Sequence, residues 1–129
     1  MKFAVLAAAA ALSLFAGAAM ADSYVGGAVM TMEIGGKEVL TGPNGMTLYT
    51  FDKDAKGSGK SVCNGQCATN WPPLMAEGAL SGDYSTVTRD DGKAQAAYKG
   101  MPLYYWVKDT KAGDKTGDNV QNVWHVAKP

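Results

Sequence analysis

Apolar and polar positions along this chain fall into short runs, each closed by a turn signal, which is the pattern of strands rather than helices. Val29-Met30-Thr31-Met32-Glu33-Ile34 carries β-branched content and stops at Gly35-Gly36. Lys37 to Thr41 then returns as the second arm of a hairpin, because a two-glycine turn tolerates positive φ. Gly42-Pro43-Asn44-Gly45 forms the next turn, with Pro43 presetting φ and Asn44-Gly45 expected at the left-handed positions. Met46 to Asp52 follows as the clearest strand of this half. The same grammar returns later in the chain. Tyr84 to Arg89 reads as a strand, Asp90-Asp91-Gly92 as a turn and Lys93 to Tyr98 as the return; Lys99-Gly100 then leads into Met101 to Val107. Asn122 to Val126 is the closing strand, with Val123 and His125 on one face and Asn122, Trp124 and Val126 on the other.

The two halves share more than a pattern. Gly45 to Lys56 reads GMTLYTFDKDAK and Gly100 to Lys111 reads GMPLYYWVKDTK. At one constant offset, Gly, Met, Leu, Tyr, Lys, Asp and Lys recur, and Phe51 is answered by Trp106. A period of this size marks one supersecondary unit used twice. The expectation is therefore a mainly β single domain over 22–129, built from two pseudo-symmetric antiparallel halves (about 25–73 and 84–126) with seven or eight short strands. A helical turn near Cys67 is the most helix expected, since Pro72-Pro73 must stop it. The segment Cys63 to Pro73 and the strand bearing His125 look unique to one half, so specific chemistry is expected there.

The N-terminus adds a destination. Lys2, the apolar run Phe3 to Phe15 and the small residues Ala19 and Ala21 make residues 1–21 a secretory signal, with cleavage expected after Ala21. The apolar run is too short for a membrane span of about 20 residues. A periplasmic or secreted product is expected, with no membrane span after cleavage. Twelve basic residues balance twelve acidic ones. That leaves no basic field for phosphate backbones, so no nucleic acid partner is expected.

Candidate chemistry narrows quickly. Tyr49 and Phe51 share a strand face, as do Tyr104 and Trp106, with Leu48 and Leu103 pointing the other way. These aromatics either pack a core, with Trp71 and Trp124 as cover, or form a platform for a sugar or other flat ligand. Asp54 and Asp109 lie just past the strands, where a carboxylate most often caps a turn. Asp52 to Gly57 fails as a calcium loop, because Lys56 and Cys63 stand where oxygen ligands belong. The loop of Asp114 and Asp118 allows at most a weak surface cation site. Cys63 and Cys67 are the only cysteines, and in an oxidising compartment they read as a disulfide, worth roughly 2 kcal/mol by the chain-entropy model. A redox-active dithiol is the sharper alternative, although its spacing is not Cys-x-x-Cys. His125, the sole histidine, with Met30 and Met32 on one strand face, supplies candidate copper ligands. No nucleophile elbow, phosphate loop, zinc signature or dinucleotide fingerprint occurs, so neither catalytic residues nor a cofactor are expected.

With Tyr49-x-Phe51-x-x-Asp54 and Tyr104-x-Trp106-x-x-Asp109 in view, the chain resembles the bacterial secreted-repeat, predicted-lipoprotein family carrying a Y-x-(F/W/Y)-x-x-D motif. The likeness extends over 22–129, including Cys63-x-x-x-Cys67-Ala68-x-x-Trp71-Pro72-Pro73 and Val123-Trp124. Unlike the lipoprotein members, this chain has no lipid-accepting cysteine near the cleavage site. The resemblance implies no catalytic residues. The expected role is a non-enzymatic exported protein meeting an envelope partner or small ligand. Redox or copper handling through Cys63, Cys67 and His125 stands as one alternative, and carbohydrate binding on Tyr49, Phe51, Tyr104 and Trp106 as another.

Overall fold

The computed structural model describes residues 29–77 and 80–129; the signal-peptide expectation for 1–21 lies outside them. Among the described residues, seven short strands, one short helix and one 3-10 turn make up the regular structure, a small mainly β fold. Strands β1 (Met30–Ile34) and β2 (Lys37–Thr41) form the expected hairpin across Gly35 (φ 62°) and Gly36 (φ 84°). Strands β4 (Tyr84–Thr88) and β5 (Ala94–Tyr98) form its counterpart, and β5 continues through Lys99-Gly100 into β6 (Met101–Pro102). β3 (Tyr49–Phe51) pairs with β7 (Trp124–Val126). Helix α1 (Gln66–Asn70) ends just before Trp71-Pro72-Pro73, as two consecutive prolines require.

The motif strands are shorter than the sequence suggests. Met46 to Asp52 keeps only three residues of regular strand and Met101 to Val107 only two. The reason is that each has several partners in succession. Tyr49 and Tyr104 face one another and exchange both backbone bonds, Tyr49 N to Tyr104 O at 2.8 Å and Tyr104 N to Tyr49 O at 3.0 Å. An approximate two-fold axis passes through that pair. Two other details differ from expectation. Only Gly45 (φ 81°) is left-handed in its turn, whereas Asn44 accepts the Met46 N–H on its side chain at 3.0 Å. Asn122 belongs to the 3-10 turn Val120–Asn122 with φ 60°, so the last strand begins at Trp124.

Around the axis, each half is completed by the tail of the other. Leu48 N donates to Leu40 O, Leu40 N to Ala127 O and Ala127 N to Leu48 O, a closed ring of three backbone bonds at 2.8–2.9 Å. In the second half Leu103 N donates to Ala96 O, Ala96 N to Leu74 O and Leu74 N to Leu103 O, at 2.8–3.0 Å. Leu74 follows the first motif yet closes the second half; Ala127 follows the second motif yet closes the first. The same exchange sets the tryptophans, since Asp52 N donates to Val123 O and Val107 N to Asn70 O. Trp71 and Trp124 therefore hold equivalent places. The segments expected to be unique to one half are, in backbone terms, counterparts.

Alternation sorts the side chains into two cores. Leu40, Leu48, Leu74, Ala96, Leu103 and Ala127 join Val29 on one side of the motif strands. Tyr49, Phe51, Cys63, Trp71, Tyr104, Trp124, Val39 and Val126 fill the other. A strand apolar on both faces is thus buried on both.

Candidate functional site

The motif residues converge on the two-fold axis. Tyr49 and Tyr104 are fully buried, and each phenol donates to the carboxylate of the opposite repeat. Tyr49 Oη reaches Asp109 Oδ2 at 2.6 Å, and Tyr104 Oη reaches Asp54 Oδ2 at 2.6 Å. Each aspartate's other oxygen is used as well. Asp54 Oδ1 accepts the Val62 N–H at 2.8 Å; Asp109 Oδ1 accepts from Thr116 N at 2.9 Å and Thr116 Oγ1 at 2.6 Å. The carboxylates do cap backbone, as the sequence suggests, but across seven or eight residues rather than within a local turn. Their pairing with tyrosines of the other repeat has no local signal and is visible only in the fold. The glycines that open the motifs are both left-handed, Gly45 at φ 81° and Gly100 at φ 84°; Gly100 also carries the carbonyl that accepts Gly57 N at 2.9 Å, and a Cβ there would lie 2.9 Å from that nitrogen.

The surroundings of the two phenols differ. Ser61 Oγ lies 2.6 Å from Tyr104 Oη and accepts from Arg89 Nη1 at 3.1 Å and from Cys63 N at 3.2 Å. With those two bonds accepted, the serine hydrogen points to the tyrosine and the tyrosine hydrogen to Asp54. Arg89, only 6% exposed, also donates to Gln95 Oε1 and Cys63 O, each at 2.7 Å, and to Asn64 Oδ1 at 3.3 Å. Gln95 passes its amide to Leu103 O at 2.7 Å. A buried guanidinium thus pins the disulfide loop of the first repeat to the hairpin of the second. Sequence reading missed Arg89, Ser61 and Gln95; nothing in a turn-flanking arginine announces that it points inward. On the other side, Tyr49 Oη accepts the Gly117 N–H at 3.2 Å.

Burial and the neighbouring carboxylates push both phenols far above the ordinary tyrosine range. Burial also raises Asp54, against the opposing pull of the Tyr104 and Val62 hydrogen bonds and the Arg89 charge. The protons stay on the phenols, and both carboxylates are buried beside them.

Four of the aromatic rings form one column. Phe51 stacks on Trp124 (4.1 Å between centroids, 9°), Trp124 on Trp71 (3.8 Å, 2°) and Trp71 on Trp106 (4.0 Å, 25°). The two tyrosines abut it edge-on, Tyr49 against Trp71 at 5.4 Å and Tyr104 against Trp124 at 5.2 Å. Stacked and edge-on pairs each add about 0.5–1.5 kcal/mol beyond area burial. Phe51, Trp71 and Trp124 are buried, while Trp106 is half-buried. Of the aromatics considered for a ligand platform, only Trp106 offers surface.

Cys63 and Cys67 form a disulfide, with Cα atoms 5.2 Å apart. Cys63 is fully buried and Cys67 half-buried. His125 Nε2 meets Asp52 Oδ2 at 2.8 Å on the surface, and Met30 and Met32 lie on β1. Among the described residues no three His, Cys, Asp or Glu side chains group to hold a metal ion. Asp114 is occupied by Thr110 and Lys111, which hold its carboxyl down at about 2, and Asp118 accepts the Val126 N–H at 3.1 Å.

A family model described as a secreted repeat of unknown function matches the chain twice, over residues 30–75 and 85–128. No curated protein and no solved structure matches it. Among the described residues no helix is long and apolar enough to cross a membrane.

Proposed function

The chain belongs to this secreted-repeat family, and from that premise we propose that it is a non-enzymatic binding module of the periplasm or cell exterior. The reciprocal Tyr–Asp bonding carries the reading. It turns the family motif inward, so that each motif carboxylate and phenol is engaged by protein groups. The motif serves as a frame, and recognition falls to what the frame displays. Two exposed valines flank α1: Val62, 56% exposed, beside the disulfide, and Val107, 49% exposed, bonded through its N–H to Asn70. These two aliphatic side chains are the surface we assign to contact with an envelope protein partner. The test compares wild type with a Val62→Lys/Val107→Lys double variant by native mass spectrometry of envelope extracts. The wild type is expected in a defined complex, and the folded double variant free of it. A wild-type protein found only as a lone chain, or a complex indifferent to both valines, overturns the reading.

A further inference from the structure

The column and the tyrosine–carboxylate pairs together have an arrangement that packing alone does not require. Trp106 is half-buried at one end of the column; its ring stacks on buried Trp71 at 4.0 Å, and Trp71 meets the edge of buried Tyr49 at 5.4 Å. Gly117 closes this corner. A Cβ on it would lie 2.9 Å from both Trp106 Cγ and Trp71 Cη2, and its N–H donates to the Tyr49 hydroxyl. Tyr49 Oη is 2.6 Å from Asp109 Oδ2. Electronic coupling falls steeply with the gap between rings, so aromatic rings in contact pass an electron readily. Tyrosine gives up an electron easily only when its proton has somewhere to go. Here a carboxylate stands at hydrogen-bond distance to take it.

We propose that Trp106, Trp71, Tyr49 and Asp109 form a one-electron relay, which carries an oxidising equivalent from the protein surface to a buried tyrosyl radical. A one-electron oxidant at the surface removes an electron from Trp106 and is itself reduced. Trp71 refills Trp106. Tyr49 then refills Trp71 while its phenolic proton moves to Asp109 Oδ2. The products are the reduced oxidant, a neutral Tyr49 radical and a protonated Asp109, so charge and protons balance. The Lys108 ammonium, 6.0 Å from the centroid of Trp106, disfavours a positive hole on the outer ring and so drives it inward.

The same geometry selects between the two tyrosines. Tyr104 abuts Trp124, one ring further from Trp106, and its hydroxyl neighbour Ser61 holds the Arg89 guanidinium. In this buried site that charge opposes the loss of an electron from Tyr104. The relay ends on Tyr49.

The experiment is laser flash-quench oxidation of the purified protein with photogenerated tris(bipyridine)ruthenium(III), followed by freeze-quench electron paramagnetic resonance. Wild type is expected to give a tyrosyl signal whose formation slows in deuterium oxide. Tyr49→Phe and Asp109→Asn should lose it, leaving a tryptophan radical, whereas Tyr104→Phe should retain it. Far- and near-ultraviolet circular dichroism establishes that each variant is folded. The solvent isotope effect and the Tyr104→Phe result stand even where one of the other variants fails to fold. A wild type without a tyrosyl radical, a signal that survives in folded Tyr49→Phe, or a signal lost equally in Tyr104→Phe overturns the relay.

Discussion

Raising the pH should dismantle this fold through two side chains. Tyr49 and Tyr104 are fully buried and donate to carboxylates, and burial is the first cause of their raised phenol pKa values. In the unfolded chain both ionise near pH 10. The folded state keeps its protons there, so above about pH 10 the unfolded state binds fewer protons and stability falls as pH rises. Each tyrosine contributes a slope of about 1.4 kcal/mol per pH unit, so the pair removes about 5 kcal/mol between pH 10 and 12. A domain with a typical stability of about 5–15 kcal/mol approaches its limit in that range. The assay is urea unfolding at successive pH values, with tyrosinate absorbance and near-ultraviolet circular dichroism followed together. Ionisation of these two phenols should accompany loss of the near-ultraviolet signal. Tyr49→Phe and Tyr104→Phe should each remove one tyrosine's share of the slope. If the slope is unchanged in both variants, or if all tyrosines ionise while the fold persists, the buried, proton-retaining phenols are wrong.

Two further outcomes follow from the packing. Arg89→Met should destabilise the protein by about 3 kcal/mol, because it strands the Gln95, Cys63 and Ser61 acceptors in the interior; chemical denaturation reads this, and a loss under 1 kcal/mol would place Arg89 outside the core. The tail of each repeat completes the other half, so a fragment ending at residue 77 should lack native circular dichroism as a monomer and recover it when mixed with residues 80–129. A fragment that folds alone as a monomer would show that the exchange is dispensable.

The sequence made the strand skeleton readable, because hairpins are local. Gly35-Gly36 and Asp90-Asp91-Gly92 each sit between alternating runs, and the turn residues they need are written in place. That the motif strands are apolar on both faces also followed from alternation, with Leu48 opposite Tyr49, but alternation left open whether the aromatic face packs a core or forms a platform. What was hidden is what depends on the second half. Tyr49 and Asp109 lie sixty residues apart, and a duplicated motif looks the same whether its copies bond within themselves or with each other. Trp71 and Trp124 looked unrelated because their neighbours differ, Pro72-Pro73 against His125-Val126; only backbone pairing shows them to be counterparts. Arg89 was overlooked because arginine beside a turn is usually solvated, and its interior partners come from two separate segments, the Ser61–Asn64 loop and Gln95.

The central claim is that the two motif copies lock each other, and a pair of double-mutant cycles tests it most directly. One cycle joins Tyr104→Phe with Asp54→Ala, residues in opposite repeats; the other joins Tyr49→Phe with Asp54→Ala, residues of the same motif copy. Reciprocal bonding predicts a coupling of about 2 kcal/mol in the first cycle and no more than about 0.5 kcal/mol in the second. The reverse order, with the larger coupling inside one repeat, would contradict the account.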